Sequence, residues 1–383
     1  MVDQAEQNRT IAGTEIGTGE TLDLGDGKVL AVHRLPSRLG RPILEVEELR
    51  HNKGNDATFG IWRVRGADAS AVLKIYKPPS AGFTGYWPTS EVPSHWNHWR
   101  RESLAYAEGL PATAYGAAGV AGPELLETHI RADGMVETWL AHVPGVEGFG
   151  WSPERLARFA YELGVGQARW VERVPDLPWL SRNWLGQYLT EGPPRCVEIT
   201  DTDWDNPGIA SWPMPVREGL RRLWTERDHM LAVAQATERT LCHLDVWPAN
   251  LIDADGRSVL VDWAFAGDGA VGEDISNLIL DSFTDGLMDP DLLPEITEGA
   301  TEGYLRGLRD GGWSGSADDV RRAIAACGAA KYSWYGPAVL GRVVKNDVGT
   351  SNYSKDNSVE TAVRRVTGMV TLIADWADTA WKK

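Results

Sequence analysis

The stretch from Cys242 to Asp274 holds the residues best suited to chemistry. It reads Cys-His-Leu-Asp-Val-Trp-Pro-Ala-Asn-Leu-Ile and, shortly after, Val-Leu-Val-Asp-Trp-Ala-Phe. Asp245 and Asn250 stand on either side of a short loop. Asp262 follows the apolar run Ser258-Val259-Leu260-Val261, a strand that would deliver it from a rigid support. A carboxylate, an amide and a second carboxylate in this order suit phosphoryl transfer, which needs positioning and charge neutralisation more than covalent work. One carboxylate orients an attacking hydroxyl and takes its proton, while the amide and the other carboxylate hold magnesium. His243 would brace the loop by hydrogen bonding. Taken singly, an Asp in a loop is a turn former and Asn250 a helix cap. The Asp-x-x-x-x-Asn spacing followed by an apolar strand ending in Asp is far rarer.

The His243-x-Asp245-x-x-x-x-Asn250 loop and the later Asp262-Trp263 resemble the aminoglycoside phosphotransferase and choline kinase-like family, whose members share the protein-kinase fold. The resemblance implies that Asp245 is the catalytic base, with His243 beside it, and that Asn250 and Asp262 are magnesium ligands. It also implies that Asp274, in Gly-Glu-Asp-Ile, steadies the loop after the metal site. Many members have Gly where Leu244 stands, and Pro after the Gly-Asp that matches Gly267-Asp268. Neither departure removes a catalytic group, but both weaken any transfer of substrate identity.

Such a site needs a strand lysine on the α/β-phosphates and a helix glutamate to hold it. Val72-Leu73-Lys74-Ile75 has the alternation of a buried strand carrying one charge, and Glu102 lies in the next helical stretch, with Glu108 as its rival. Upstream, His51-Asn52-Lys53-Gly54-Asn55-Asp56-Ala57-Thr58 is rich in turn formers and resembles the family's nucleotide-positioning loop. Backbone amides around Gly54, Asn55 and Thr58 would cradle phosphate there. Adenine would meet the backbone at Leu140, Ala141 and Val143, just before the hinge. The nucleotide is then ATP and the metal Mg2+.

Gly267-Asp268-Gly269-Ala270-Val271-Gly272 formally matches a dinucleotide-binding fingerprint. The helical sequence downstream lacks the strands that further βαβ units would supply, which leaves a dinucleotide-dependent oxidoreductase a remote alternative. A non-catalytic nucleotide-binding scaffold is disfavoured by retention of Lys74, Asp245, Asn250 and Asp262 together. Trp96 with Trp99, or Trp179 with Trp184, could form an aromatic cage, although tryptophans more often fill cores.

The elements that must position these residues read as an α+β chain with a bilobal, protein-kinase-like fold. Residues 1–28, rich in Gly, Thr, Asp and Glu, read as a loosely ordered start. A small β-rich lobe follows over 29–143, with strands near 43–46, 59–64, 71–76, 124–131 and 135–143 and a helix near 96–110. A hinge at 144–150 leads to a larger, mainly helical lobe over 151–383. Helical patterns there cover 152–173, 215–240, 291–309, 317–334 and 358–381, with one strand-rich island at 249–265.

Composition fits this reading. The 383 residues are 43% hydrophobic, enough for more than one core. The formal net charge of −16 argues against a nucleic-acid partner, which needs a basic face to displace counterions. No apolar run is long enough for a membrane span. Three cysteines without paired ligand spacing, and a start lacking the basic-then-apolar order of a secretory signal, point to the cytoplasm. The acceptor would be a hydroxyl on a small molecule such as an amino sugar, an aminoglycoside or a choline-like alcohol, or a Ser or Thr of a peptide. The acidic run Glu198-Ile199-Thr200-Asp201-Thr202-Asp203-Trp204-Asp205 would suit a cationic one.

Overall fold

The computed structural model describes residues 9–16, 21–25, 27–31, 35–347 and 358–382. Its first part is a six-stranded antiparallel sheet in the order β1-β4-β5-β6-β9-β8. These strands are β1 (Arg9–Ile16), β4 (Ile43–Glu48), β5 (Thr58–Gly66), β6 (Ser70–Tyr76), β8 (Leu125–Ile130) and β9 (Val136–Ala141). A hairpin of β2 (Thr21–Gly25) and β3 (Lys28–Ala31) lies beside it. Period-two alternation decides the faces. Trp62 and Val64 of β5, Leu73 and Ile75 of β6 and Trp139 of β9 share one core with Leu22, Leu24 and Leu30 of the hairpin. Lys74, between two of these inward residues, belongs to the opposite face.

The opening of the chain therefore carries more structure than its composition suggests. Leu22, Leu24 and Leu30 are buried, and the Trp62 indole donates to the Leu24 carbonyl at 3.0 Å. The hairpin pays its way by covering the back of the sheet, a long-range contact that local sequence does not reveal. Residues 1–8, 17–20 and 26 of that segment lie outside the described residues.

Between β6 and β9 the chain forms a strap, residues 77–100, and then α1 (Arg101–Ala107), α2 (Leu110–Thr113) and β7 (Val120–Ala121). The helix expected from Trp96 starts only at Arg101. Trp96 and Trp99 precede it because Asn97 is tied to Asn55 Oδ1 and to the Pro88 carbonyl, while Ser90 and His98 bridge.

After β10 (Val146–Glu147) the chain is mainly helical. The first helices are α3 (Pro153–Ala168), α4 (Trp184–Glu191), α5 (Met214–Thr225) and α6 (Arg227–Gln235). Four strands follow: β11 (Arg239–Cys242), β12 (Leu251–Ala254), β13 (Arg257–Leu260) and β14 (Gly267–Ala270). The chain continues with α7 (Glu273–Thr284), α8 (Leu293–Asp310), α9 (Ala317–Lys331), α10 (Tyr335–Lys345), α11 (Val359–Arg365) and α12 (Thr367–Trp381). Helical patterns read as continuous over 215–240 and 358–381 are each broken, at Glu226 and Val366. Helix α7 escapes a periodicity reading because its residues Glu273 to Leu280 are all buried, which leaves that stretch no polar face.

Two short antiparallel ladders frame the chemistry. β11 pairs with β14, and β12 pairs with β13, so the loops 243–250 and 261–266 leave neighbouring strand ends. The fingerprint-like Gly267–Gly272 is thus mostly an antiparallel strand, not the turn of a βαβ unit. A smaller β-rich part followed by a larger, mainly helical part gives the mixed α+β organisation expected from the sequence. Among the described residues, no helix is long and apolar enough to cross a membrane.

Candidate active site

Lys74 sits opposite Thr138 of β9 and Ile61 of β5 in the sheet register, which fixes its side chain toward the helical lobe. Its ammonium pairs with Glu102 of α1 and lies 2.9 Å from Asp262 Oδ1. Lys74 is 8% exposed and Glu102 2%, whereas Asp262 keeps 35%, so the triangle is dry on two corners and open on the third. Glu108, the rival for the glutamate role, instead accepts from the Trp179 indole at 2.8 Å.

Burial alone would lower the Lys74 pKa, but the Asp262 and Glu102 charges outweigh it and hold the ammonium above its ordinary range. Burial would raise Asp262, and the neighbouring Lys74 reverses this, keeping that carboxylate ionised. Glu102 moves up, driven by burial against the pull of Lys74. Two carboxylates competing for one ammonium leave the pair short of positive charge, a condition that favours a cation at the open corner.

Asp262 has a backbone φ of 63°, in the left-handed region that few residues besides Gly, Asn and Asp adopt, and this turns the chain sharply as it leaves β13. The other loop is joined to it next door, where the Val261 amide donates to the Asn250 carbonyl at 2.9 Å. Asn250 Nδ2 donates to the Asp245 carbonyl at 2.9 Å and to Asp245 Oδ2 at 2.8 Å. Both of these bonds use the amide nitrogen of Asn250. Asp245 is half-buried. Burial first, and the Asp262 charge second, push its pKa upward, opposed by Lys331 and by the Asn250 amide.

His243 is fully buried, its ring edge-on to Trp263 with centroids 4.9 Å apart. Burial lowers its pKa to about 4, so the imidazole is neutral at physiological pH. Hydrogen bonding to the Val261 and Asp245 backbone pulls that value the other way, and the loop is held further by its own amides. The His243 and Leu244 amides donate to the two oxygens of Asp274 at 2.9 and 2.7 Å. Gln167 of α3 donates to the same carboxylate at 2.7 Å and accepts from Tyr304 of α8 at 2.6 Å. Gln167 and Tyr304 are members of this support that sequence reading missed. A polar residue inside an apolar helix face was the only signal available.

The turn at 51–58 differs from expectation. The amides of Gly54, Asn55, Asp56, Ala57 and Thr58 are all spent, on Asn52 Oδ1, the Asn52 carbonyl, the Trp87 carbonyl, Asn55 Oδ1 and the Asn55 carbonyl respectively. The Asn52 and Asn55 side chains close the turn on itself, so the amide cradle for phosphate is not formed here. At the hinge edge, the Ala141 and His142 amides pair with the Glu124 and Ser70 carbonyls. Val143 is the first residue past the ladder, and Leu140 is buried behind it.

The acidic segment also has local partners. Asp201 pairs with Arg221, and Asp203 accepts from the Thr200 amide at 2.6 Å. Beside Asp245 lies a different charged group, Lys331, whose ammonium is 2.9 Å from both Asn277 Oδ1 and Asp281 Oδ2. Trp96, Trp99, Trp179 and Trp184 are all buried core residues, not an open cage.

No protein-family model and no curated protein matches the chain. Among solved structures it is similar to the amicoumacin kinase hAmiN in complex with AMP-PNP, Ca2+ and Ami, at 11% identity over 85% of this chain and 87% of that one, with a TM-score of 0.49. It is similar to an aminoglycoside phosphotransferase from Alicyclobacillus acidocaldarius at 17% identity, covering 87% and 92%, with a TM-score of 0.48. It is also similar to the choline kinase LicA from Streptococcus pneumoniae at 13% identity, covering 85% and 93%, with a TM-score of 0.47.

Proposed function

We propose that the chain is an ATP- and Mg2+-dependent phosphotransferase whose acceptor is the hydroxyl of a small molecule. The observation that carries this is the buried Lys74 ammonium held between Glu102 and the cleft-facing Asp262, with Asp245 and Asn250 on the adjoining loop. Lys74 binds the α/β-phosphates, and Glu102 keeps it from swinging away. Asp245 orients the acceptor hydroxyl and takes its proton, while Asn250 Nδ2 fixes the rotamer that does so. Leu140, Ala141 and Val143 offer adenine a backbone edge and an apolar floor.

The donor set fits a hard divalent ion. Asp262 and the Asn250 amide oxygen are oxygen ligands, and among the described residues no group of three or more His, Cys, Asp or Glu forms a self-sufficient metal site. Magnesium is ordinarily held by one or two protein oxygens together with substrate phosphates, and there it neutralises charge on the transferring group. Asp262 and Asn250 would hold it.

A peptide Ser or Thr hydroxyl would meet the same chemistry, and an acceptor screen separates the two. ATP consumption is followed across amino sugars, aminoglycosides, choline-like alcohols and Ser/Thr peptides, with mass spectrometry for an added phosphate. The nucleotide reading is tested first, by melting. Mg-ATP, binding only the native state, should raise the melting temperature. A shift with NAD and none with saturating Mg-ATP would refute it.

A further inference from the structure

Arg101 opens helix α1, one residue before Glu102, and is completely buried. A buried guanidinium without a counter-ion is costly and requires full hydrogen bonding. Among the described residues no carboxylate pairs with it. Its donors instead reach backbone carbonyls. Nε donates to Trp179 at 2.7 Å. Nη1 donates to Trp96 at 2.9 Å and to Ala264 at 3.0 Å. Nη2 donates to Pro93 at 3.0 Å and to His95. Five such bonds use the whole donor capacity of the side chain.

The carbonyls come from three separate parts of the chain. Pro93, His95 and Trp96 belong to the strap. Trp179 precedes α4. Ala264 lies two residues past Asp262, in the short turn Trp263–Phe265. The strap is itself fastened to the helical lobe, through the Trp96 amide on Gln187 at 2.8 Å and His95 on Glu191 at 2.7 Å. Trp96 stacks on Phe265 with centroids 5.8 Å apart. One rigid fork therefore joins the helix that carries Glu102, the loop that carries Asp262 and the strap between the lobes.

We propose that Arg101 is a positioning residue that presets the distance between the Lys74–Glu102 pair and the metal carboxylate, so that the site is held assembled before nucleotide arrives. The inference rests on the reading of Asp262 as a metal ligand given above. Lysine cannot replace it, because an ammonium has three donors on a flexible stem where the guanidinium has five in a plane.

Arg101→Lys tests this. In the folded variant, the Mg2+ concentration for half-maximal ATP turnover should rise about tenfold, the usual scale for loss of a group that orients a metal ligand. Affinity for Mg2+-free ADP should change far less, because the hinge is untouched and Lys74 keeps its pair with Glu102 while the metal carboxylate shifts. A merely structural role would lower the melting temperature and leave the metal dependence of the folded fraction alone, and that result overturns the proposal. If Arg101→Lys does not fold, hydrogen exchange on the wild-type chain decides. In the nucleotide-free chain, 93–101 and 262–266 should be protected together, and a strap that exchanges freely until Mg-ATP is added overturns the proposal. Wild-type protein that neither binds nor turns over Mg-ATP would remove the underlying reading as well. Wild-type activity with an indistinguishable Arg101→Lys would remove this inference alone.

Discussion

The Leu244 amide points at Asp274 Oδ1, 2.7 Å away, from a backbone turned into the left-handed region at φ 67°. That conformation brings the Cβ of an ordinary residue against its own carbonyl and costs about 1–2 kcal/mol. It is kept because the reversal aims two consecutive amides, His243 and Leu244, at one buried carboxylate, and sets Asp245 on the cleft side of the loop. The Leu244 side chain is fully buried in the helical-lobe core, which offsets the strain.

Two substitutions at Leu244 separate these terms. Leu244→Ala loses the buried side chain, about 3 kcal/mol, and keeps the strain. Leu244→Gly loses the same packing but relieves the strain, so it should be more stable than the Ala variant by about 1 kcal/mol, despite being the smaller residue. Both should fall below wild type, because burial outweighs strain. Urea unfolding of the three proteins checks the order, and an Ala variant above the Gly variant would show that the left-handed backbone is not retained in solution.

Asp274 supplies a pH signature. Burial raises its pKa to about 6, overcoming the amides of His243 and Leu244, which pull it down. A carboxyl that titrates at 3.8 when unfolded and near 6 when folded is protonated longer in the native state. Its contribution therefore favours folding below pH 4 and is lost as pH rises through 6, a swing on the order of 3 kcal/mol. Asp274→Asn does not titrate and lacks this term. The stability of the variant relative to wild type should thus improve by that order between pH 4 and pH 7. A pH-independent difference would mean that Asp274 is ionised throughout and that its three hydrogen bonds prevail over burial.

Much of the site was legible because its signals are local. Lys74 stands as a single charge in an apolar strand, and Asp262 ends another. The sequence favours Glu102 over its rival Glu108, which caps the same short helix, and the ion pair of Lys74 with Glu102 and the bond of the Trp179 indole to Glu108 separate the two. Arg101 gave no signal at all. Its partners are backbone carbonyls, which every residue has, so Arg100-Arg101 reads like any solvated pair of helix charges. The 54–58 turn misled for a related reason, because the Asn residues that suggest a phosphate loop consume its amides themselves. The Thr21–Ala31 hairpin was hidden by composition, since Leu22, Leu24 and Leu30 matter only once Trp62 and Trp139 are there to receive them.

The two active-site carboxylates should separate under substitution. On the proposed reading, Asp262→Asn should weaken binding of Mg-ATP and abolish turnover, because it would remove a metal ligand together with one of the two partners of Lys74. Asp245→Asn should abolish turnover with Mg-ATP affinity nearly intact, because on that reading Asp245 would face the acceptor and not the nucleotide. Calorimetric titration with a non-hydrolysable ATP analogue distinguishes them. The opposite pattern would exchange the two roles.

Lys331 ties stability to the chemistry at Asp245. It is 7% exposed and shared between Asn277 and Asp281, the latter 19% exposed. Lys331→Met leaves Asp281 without its cation beside the Asp245 loop, a loss of about 3 kcal/mol for a nearly buried pair. Removing both charges, as Lys331→Met with Asp281→Asn, should cost less than the sum of the singles, because the stranded carboxylate is gone. Turnover carries a second and independent readout. Lys331 pulls the Asp245 pKa down, whereas burial and the charges of Asp262 and Asp281 push it up. Without the ammonium, Asp245 holds its proton to higher pH, so the acidic limb of the pH–rate profile should move upward in Lys331→Met. Asp281→Asn alone removes a charge that pushes in the other direction, and its limb should move down. Limbs that shift together, or not at all, would place the rate-limiting proton somewhere other than Asp245.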